Sequence, residues 1–210
     1  MNYLRPIKAF LPGLTRLVFG ANARWLCPQH QTVQRVYFAN HTSHLDTLLL
    51  WSLLPEDSRS CTRPVVAKEY WDNTCFRRLL ANYVFNAIMI ERPDHAAASR
   101  LNLASQALAT ILDGMGDSHS IIIFPEGTRG ERPEMRTFKS GIYHLARRRP
   151  DLEFIPVYLE NLNRILPKGE LLPLPLLGSV SFGVPLQIDP DESKPAFLQR
   201  ARKAIEEMKP

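Results

Sequence analysis

Ile121-Ile122-Ile123-Phe124 is the stretch that most limits the fold. Four large apolar residues follow one another with no polar alternation. A strand with one wet face alternates, whereas an unbroken apolar run suits a strand covered on both faces of a parallel sheet. Such a sheet needs helices, and the rest of the chain alternates strand-like with helix-like segments. Strands are expected at 33–39, 63–68, 84–90, 121–124, 154–159 and 179–182. Helices are expected from the 43–46 junction to about Leu54, over 71–82, over 95–112 with Gly114 as its stop, from Gly141 to Arg149, and over 195–208. Residues 21–32 read as irregular, and 165–177, rich in Pro and Leu, as a connector. The fold class is therefore α/β: a central, mostly parallel sheet flanked by helices.

An amphipathic helical segment precedes it. Apolar residues at Tyr3, Leu4, Ile7, Phe10, Leu11, Leu14, Leu17 and Val18 follow the spacing of one helix face. Arg5, Lys8 and Arg16 occupy the other face, without an acid in the segment. Pro12 is expected to kink or split the helix. Periodicity leaves two uses open, packing on the domain or lying in a membrane interface. Residues 1–28 are read as this segment and 29–210 as the α/β domain.

The net charge of +5 suits an anionic partner, whether nucleic acid, a phosphorylated small molecule or an acidic membrane surface, and chooses none of them. Cys27, Cys61 and Cys75 form no C-x-x-C pair, which favours reduced thiols over a zinc site or a disulfide framework. No run of 18 apolar residues exists, and the N-terminus lacks a signal-peptide pattern.

In parallel α/β sheets ligands gather at the carboxyl ends of strands. Three such ends carry reactive or anion-binding groups: His41 with Asp46, Arg92, and Glu126 with Arg129. If Ser43 caps the following helix, Asp46 falls in its first turn, as in a capping box. A histidine with a nearby carboxylate can serve as a base and its orienter. No G-x-S-x-G elbow occurs, so the hydroxyl to be activated is the substrate's own. A lone histidine at such a junction more often just satisfies a turn. His41, His44 and Asp46 also brush against a metal-hydrolase motif, H-x-H-x-D-H, but the spacing is off by one and Thr47 replaces a ligand. Arg92 and Arg129 can grip phosphate with paired hydrogen bonds, and Gly127 lets backbone approach a ligand.

These residues carry a family resemblance. Asn40-His41-Thr42-Ser43-His44-Leu45-Asp46 resembles the H-x4-D block of the glycerophospholipid acyltransferases, and Phe124-Pro125-Glu126-Gly127-Thr128-Arg129 their F-P-E-G-T-R block. The second block, in full, is closer to 1-acylglycerol-3-phosphate than to glycerol-3-phosphate acyltransferases. Ile90 and Arg92 match the G-x-x-F-I-x-R block, and Ile155-Pro156-Val157-Tyr158 the V-P-V block. Ala67-Lys68-Glu69, Phe138-Lys139-Ser140-Gly141 and Gly183-Val184-Pro185-Leu186 are lesser echoes. Asn86, Met89 and Gly130 depart from the usual glycine, phenylalanine and serine.

The resemblance implies acyl transfer from acyl-CoA or acyl-carrier protein, as co-substrate, to the free hydroxyl of a lysophospholipid. The acceptor it implies is 1-acylglycerol-3-phosphate, giving phosphatidic acid. His41 would be the general base and Asp46 its orienter. Arg92 and Arg129 would hold the acceptor phosphate, with Glu126, Gly127 and Thr128 shaping the pocket and Lys68 assisting. No metal, cofactor or nucleic acid is implied. It favours the interface reading of the N-terminal helix, placing the protein peripherally or monotopically on the cytoplasmic face of a membrane, the inner membrane of a bacterium. The departures keep two alternatives in view: another acceptor, such as glycerol-3-phosphate or a different lysolipid, or lipid binding without turnover.

Overall fold

The structure, a computed structural model, describes residues 5–29, 33–43, 45–91, 97–128, 135–160 and 178–209. Its strands are β1 (Asn22–Trp25), β2 (Arg35–Ala39), β3 (Thr62–Ala67), β4 (Ile88–Ile90), β5 (Ser120–Ile123), β6 (Glu153–Glu160) and β7 (Ser179–Phe182). Its helices are α1 (Arg5–Phe19), α2 (Asp46–Leu53), α3 (Glu56–Ser60), α4 (Lys68–Trp71), α5 (Cys75–Leu79), α6 (Ala97–Met115), α7 (Gly141–Arg148) and α8 (Lys194–Glu206), with a π-helical turn at Leu80–Val84.

The strands form one sheet in the order β1-β7-β6-β2-β5-β3-β4. β6, β2, β5, β3 and β4 all run parallel. β7 turns antiparallel on β6, and β1 runs alongside β7. The expected mostly parallel α/β sheet is what forms.

Alternation along the central strands splits the core into two layers. Tyr37 and Ala39 of β2, Ile122 of β5 and Ile155 and Val157 of β6 face a cluster with Leu49, Leu50 and Trp51 of α2. Val36 and Phe38, Ile121 and Ile123, and Phe154 face the opposite cluster, with Met115 of α6, Leu145 of α7 and Phe197 of α8. Every β5 residue is buried, as an apolar run covered on both faces requires.

This layering creates the site. β2 and β5 are neighbours, yet the chain leaving β2 enters α2 on one face and the chain leaving β5 goes on to α7 on the other. Two adjacent strands whose connections diverge leave a crevice at their carboxyl ends, the topological switch point of an open α/β sheet.

Several local expectations are corrected. Residues 22–25, read as irregular, form edge strand β1, and Trp25 stacks on Phe182 at 3.8 Å between ring centroids. The strand expected over 84–90 shortens to Ile88–Ile90, because Val84 and Phe85 are buried at the end of the π-helical turn. Asn86 then reverses the chain with φ 49°. Left-handed backbone is open to glycine and, among other residues, most readily to asparagine, so Asn86 suits the turn it makes. The helix over 95–112 runs on to Met115, and Gly116 (φ +48°), not Gly114, makes the left-handed stop.

Pro12 lies within α1 without splitting it. Leu11, Thr15 and Phe19 turn inward, and Arg16 donates to the Ser52 carbonyl at 3.3 Å. Phe10, Leu14, Leu17 and Val18 remain exposed, Leu17 at 81%. α1 thus packs on the domain and still presents an apolar stripe to its surroundings.

Candidate active site

His41 leaves the end of β2, and Asp46 opens α2. Nδ1 of His41 lies 2.8 Å from Oδ2 of Asp46. The same oxygen accepts the backbone N–H groups of Thr42 at 2.7 Å and Ser43 at 2.9 Å. Asp46 is fully buried, whereas the His41 side chain keeps 16% exposure. The carboxylate is fixed by backbone, the imidazole is fixed by the carboxylate through Nδ1, and Asp46 does not engage Nε2. Ser43 is not the helix cap that the sequence led one to expect. Leu45 holds that place, and Ser43 Oγ accepts from Leu45 N at 3.2 Å. Only the returning half of a capping box forms, the bond from Ser43 N to Asp46.

The imidazole also stacks on Phe124 from the end of β5, with centroids 4.3 Å apart and planes 24° from parallel. Below it, Asn40 grips the Leu159 backbone in both directions, donating at 2.9 Å and accepting at 2.7 Å. This clamp ties the end of β2 to β6. His41 is therefore positioned from both neighbouring strands.

Glu126 is nearly buried, at 4% exposure. Its Oε1 accepts the His41 backbone N–H at 2.8 Å, and its Oε2 accepts that of Arg136 at 2.9 Å. Both oxygens serve the scaffold. Gly127 has φ +72°, and a Cβ there would stand 2.6 Å from Cε of Lys139. The glycine is required twice, for its left-handed backbone and for the lysine chain lying across it. Thr128 Oγ1 accepts from the Arg136 guanidinium at 3.0 Å.

Lys68 follows β3 on the same rim, with β5 standing between β3 and β2. At the usual strand spacing its backbone lies about 10 Å from β2. Its ammonium pairs with Glu91 at 3.0 Å, a contact that holds it above its ordinary pKa. Lys68 thus shares the rim without touching His41. Arg92, Arg129 and His44 lie outside the described residues, as does the 171–177 stretch. His41 and Asp46 spend their facing atoms on each other. Among the described residues no group of three or more His, Cys, Asp or Glu is placed to hold a metal ion.

Sequence reasoning passed over Asn40, Arg136 and the stacking role of Phe124. Asn40 and Phe124 were quoted in motifs, but their partners lie on other strands. Arg136 sits in a polar loop with no periodicity to single it out.

The sequence and the three-layer α/β fold that carries this His–Asp pair match a known group of proteins. The chain belongs to the Acyltransferase family, whose model matches residues 27–160. It is 27% identical over 177 residues to a 1-acyl-sn-glycerol-3-phosphate acyltransferase of Limnanthes douglasii, covering 84% of this chain and 59% of that protein. It is 28% identical over 163 residues to one of Cocos nucifera, covering 77% of this chain and 48% of the relative. The chain thus spans about half the length of these curated relatives. Its fold is similar to that of the crystal structure of the 1-acyl-sn-glycerophosphate (LPA) acyltransferase PlsC from Thermotoga maritima, with a TM-score of 0.69 and 13% identity, covering 99% of this chain and 81% of that one.

Proposed function

We propose that this chain transfers a fatty acyl group from a thioester, acyl-CoA or acyl-carrier protein, to the free hydroxyl of 1-acylglycerol-3-phosphate, giving phosphatidic acid. The observation that carries the reading is the 2.8 Å bond between His41 Nδ1 and Asp46 Oδ2 in the switch-point crevice. With Nδ1 committed, Nε2 takes the proton of the acceptor hydroxyl as its oxygen attacks the thioester carbonyl. The imidazolium is stabilised by the buried carboxylate. The tetrahedral intermediate collapses, the thiolate leaves, and the proton on Nε2 passes to it. No acyl-enzyme forms, and no metal or cofactor takes part.

Membership of the Acyltransferase family supports the reaction class, and the names of the plant relatives support the acceptor. Arg92 and Arg129 bind the acceptor phosphate in this reading, with Gly127 and Thr128 forming the pocket wall and Lys68 contributing charge from the rim. Glu126 serves it by fixing the His41 backbone.

The reaction takes place on a membrane surface. Among the described residues no helix is long and apolar enough to cross a membrane. The exposed stripe of α1 suits a peripheral position, with Phe10 and Leu17 dipping into the interface on the cytoplasmic side.

The test is turnover of lysophosphatidate with each donor type, in wild type and in His41→Ala. Loss of the base is expected to cost about 10²- to 10⁴-fold in kcat. Wild-type turnover in His41→Ala would remove the proposal. Preference for another lysolipid or for glycerol-3-phosphate would correct the acceptor alone.

A further inference from the structure

The connection from β3 to β4 carries a second apolar surface, separate from α1 and from the crevice. Phe76, Leu79 and Tyr83 are exposed at 69%, 38% and 45%. They lie three and four residues apart along the continuous helical stretch of α5 and the π-helical turn, so they share one face. The opposite face of this stretch is spoken for: Leu80, Val84 and Phe85 pack into the same core layer as α2.

The setting of this stripe tells what covers it. Between Asp72 and Glu91 the chain contains no acid and carries Arg77 and Arg78. The Arg77 guanidinium lies over the Tyr70 ring at 4.2 Å, and Arg78 pairs with Asp72. α1 has the same character: the first acid of the whole chain is Asp46. The two elements also belong to one side of the molecule. Arg16 of α1 bonds the Ser52 carbonyl, and the adjacent Trp51 meets Phe85 edge-on at 5.1 Å. α2 is buried along almost its whole length in this layer, beneath elements that each keep exposed apolar residues.

Exposed aromatic and aliphatic tips beside Arg77, with the Arg78 charge shared by Asp72, match an anionic bilayer, whose headgroups take Arg77 and whose acyl boundary takes Phe76 and Tyr83. We infer that Phe76, Leu79 and Tyr83 form a second contact with an anionic phospholipid surface, independent of α1.

The test is cosedimentation of the full chain with vesicles of phosphatidylglycerol and phosphatidylethanolamine, and with vesicles of phosphatidylcholine alone. Phe76→Ser with Tyr83→Ser is expected to weaken partition to the anionic vesicles about three- to tenfold, with the melting temperature unchanged, since both side chains are exposed. Leu17→Ser in α1 is expected to weaken it separately, and the two effects to multiply. Cys75 is exposed whereas Cys27 and Cys61 are half-buried, so a polarity-sensitive thiol probe can be placed next to Phe76. Its emission is expected to shift to the blue on anionic vesicles.

Unchanged partition of the double variant, or a probe that stays in water, would overturn the inference. So would self-association in the absence of lipid that the double variant abolishes, since the stripe would then join copies of the chain. Binding is the readout throughout, so an outcome that sinks this contact is distinct from one that sinks acyl transfer, which is read by turnover.

Discussion

The backbone N–H of His41 donates to Oε1 of Glu126 at 2.8 Å, across 85 positions of sequence. This bond joins the two most distinctive motifs of the chain through a main-chain atom. The other oxygen of Glu126 holds Arg136, so one buried carboxylate sets both the imidazole's backbone and the entry of the loop toward α7.

Glu126→Gln follows from that arrangement. An amide offers one acceptor oxygen and turns its NH₂ against the second N–H. The loss is expected to cost about 1–3 kcal/mol of stability. Displacement of His41 is expected to lower kcat by about 10- to 100-fold, with a smaller change in KM. Thermal unfolding and steady-state kinetics check this, and a variant matching wild type in both would contradict it.

Asp46→Asn separates chemistry from folding. Oδ2 accepts three hydrogen bonds, whereas Oδ1 is buried without a partner among the described residues. The asparagine oxygen can occupy the first place and its NH₂ the second. Stability is expected to change by less than about 1 kcal/mol. The imidazolium loses its counter-charge, so kcat is expected to fall about 10²- to 10⁴-fold. A large drop in melting temperature at intact kcat would reverse these roles.

Gly127→Ala probes the loop after β5. Alanine at φ +72° costs about 1–2 kcal/mol in backbone energy, and its methyl displaces the Lys139 chain. A lower melting temperature and reduced turnover are expected. A variant as stable as wild type would show that the loop can relax without cost.

The ion pair of Glu192 with Arg200 contributes to the pH dependence of stability. Arg200 bonds both oxygens of Glu192, at 2.8 and 2.6 Å, and holds its carboxyl below the usual range. A depressed folded pKa stabilises the fold above the unfolded value of about 4.3 and loses that contribution as pH falls through the folded value. Glu192→Gln is expected to lower stability at neutral pH by about 0.5–1 kcal/mol, discounted for the exposure of Arg200. The gap to wild type should close below the carboxylate range. Melting curves from neutral to acid pH decide it, and a gap independent of pH would exclude this pair as its source.

The sequence by itself determined the fold class and singled out His41 and Asp46 as a pair. Ile121–Ile123 required cover on both faces whatever surrounded it, and His41 and Asp46 are close enough in sequence for one strand-to-helix junction to bring them together. These are local consequences of residue type and spacing. Where local signals were weak, reading them misplaced elements. β1 is four residues with mostly exposed side chains, so it shows no apolar pattern. Val84 and Phe85 are apolar for a helical turn as readily as for a strand, and only tertiary packing, such as that of Phe85 on Trp51 and Trp71, separates the two.

What only the tertiary structure decided is how the pieces act together. That β2 and β5 are neighbours with diverging connections depends on strand order, which no local pattern records. From it follow the stacking of Phe124 on His41, the clamp of Asn40 on Leu159, and the hold of Glu126 on the His41 backbone. Each is a contact between strands distant in sequence, fixed by sheet register and burial. A buried carboxylate needs donors, and Glu126 finds them in the His41 amide at the end of β2 and the Arg136 amide in the loop before α7.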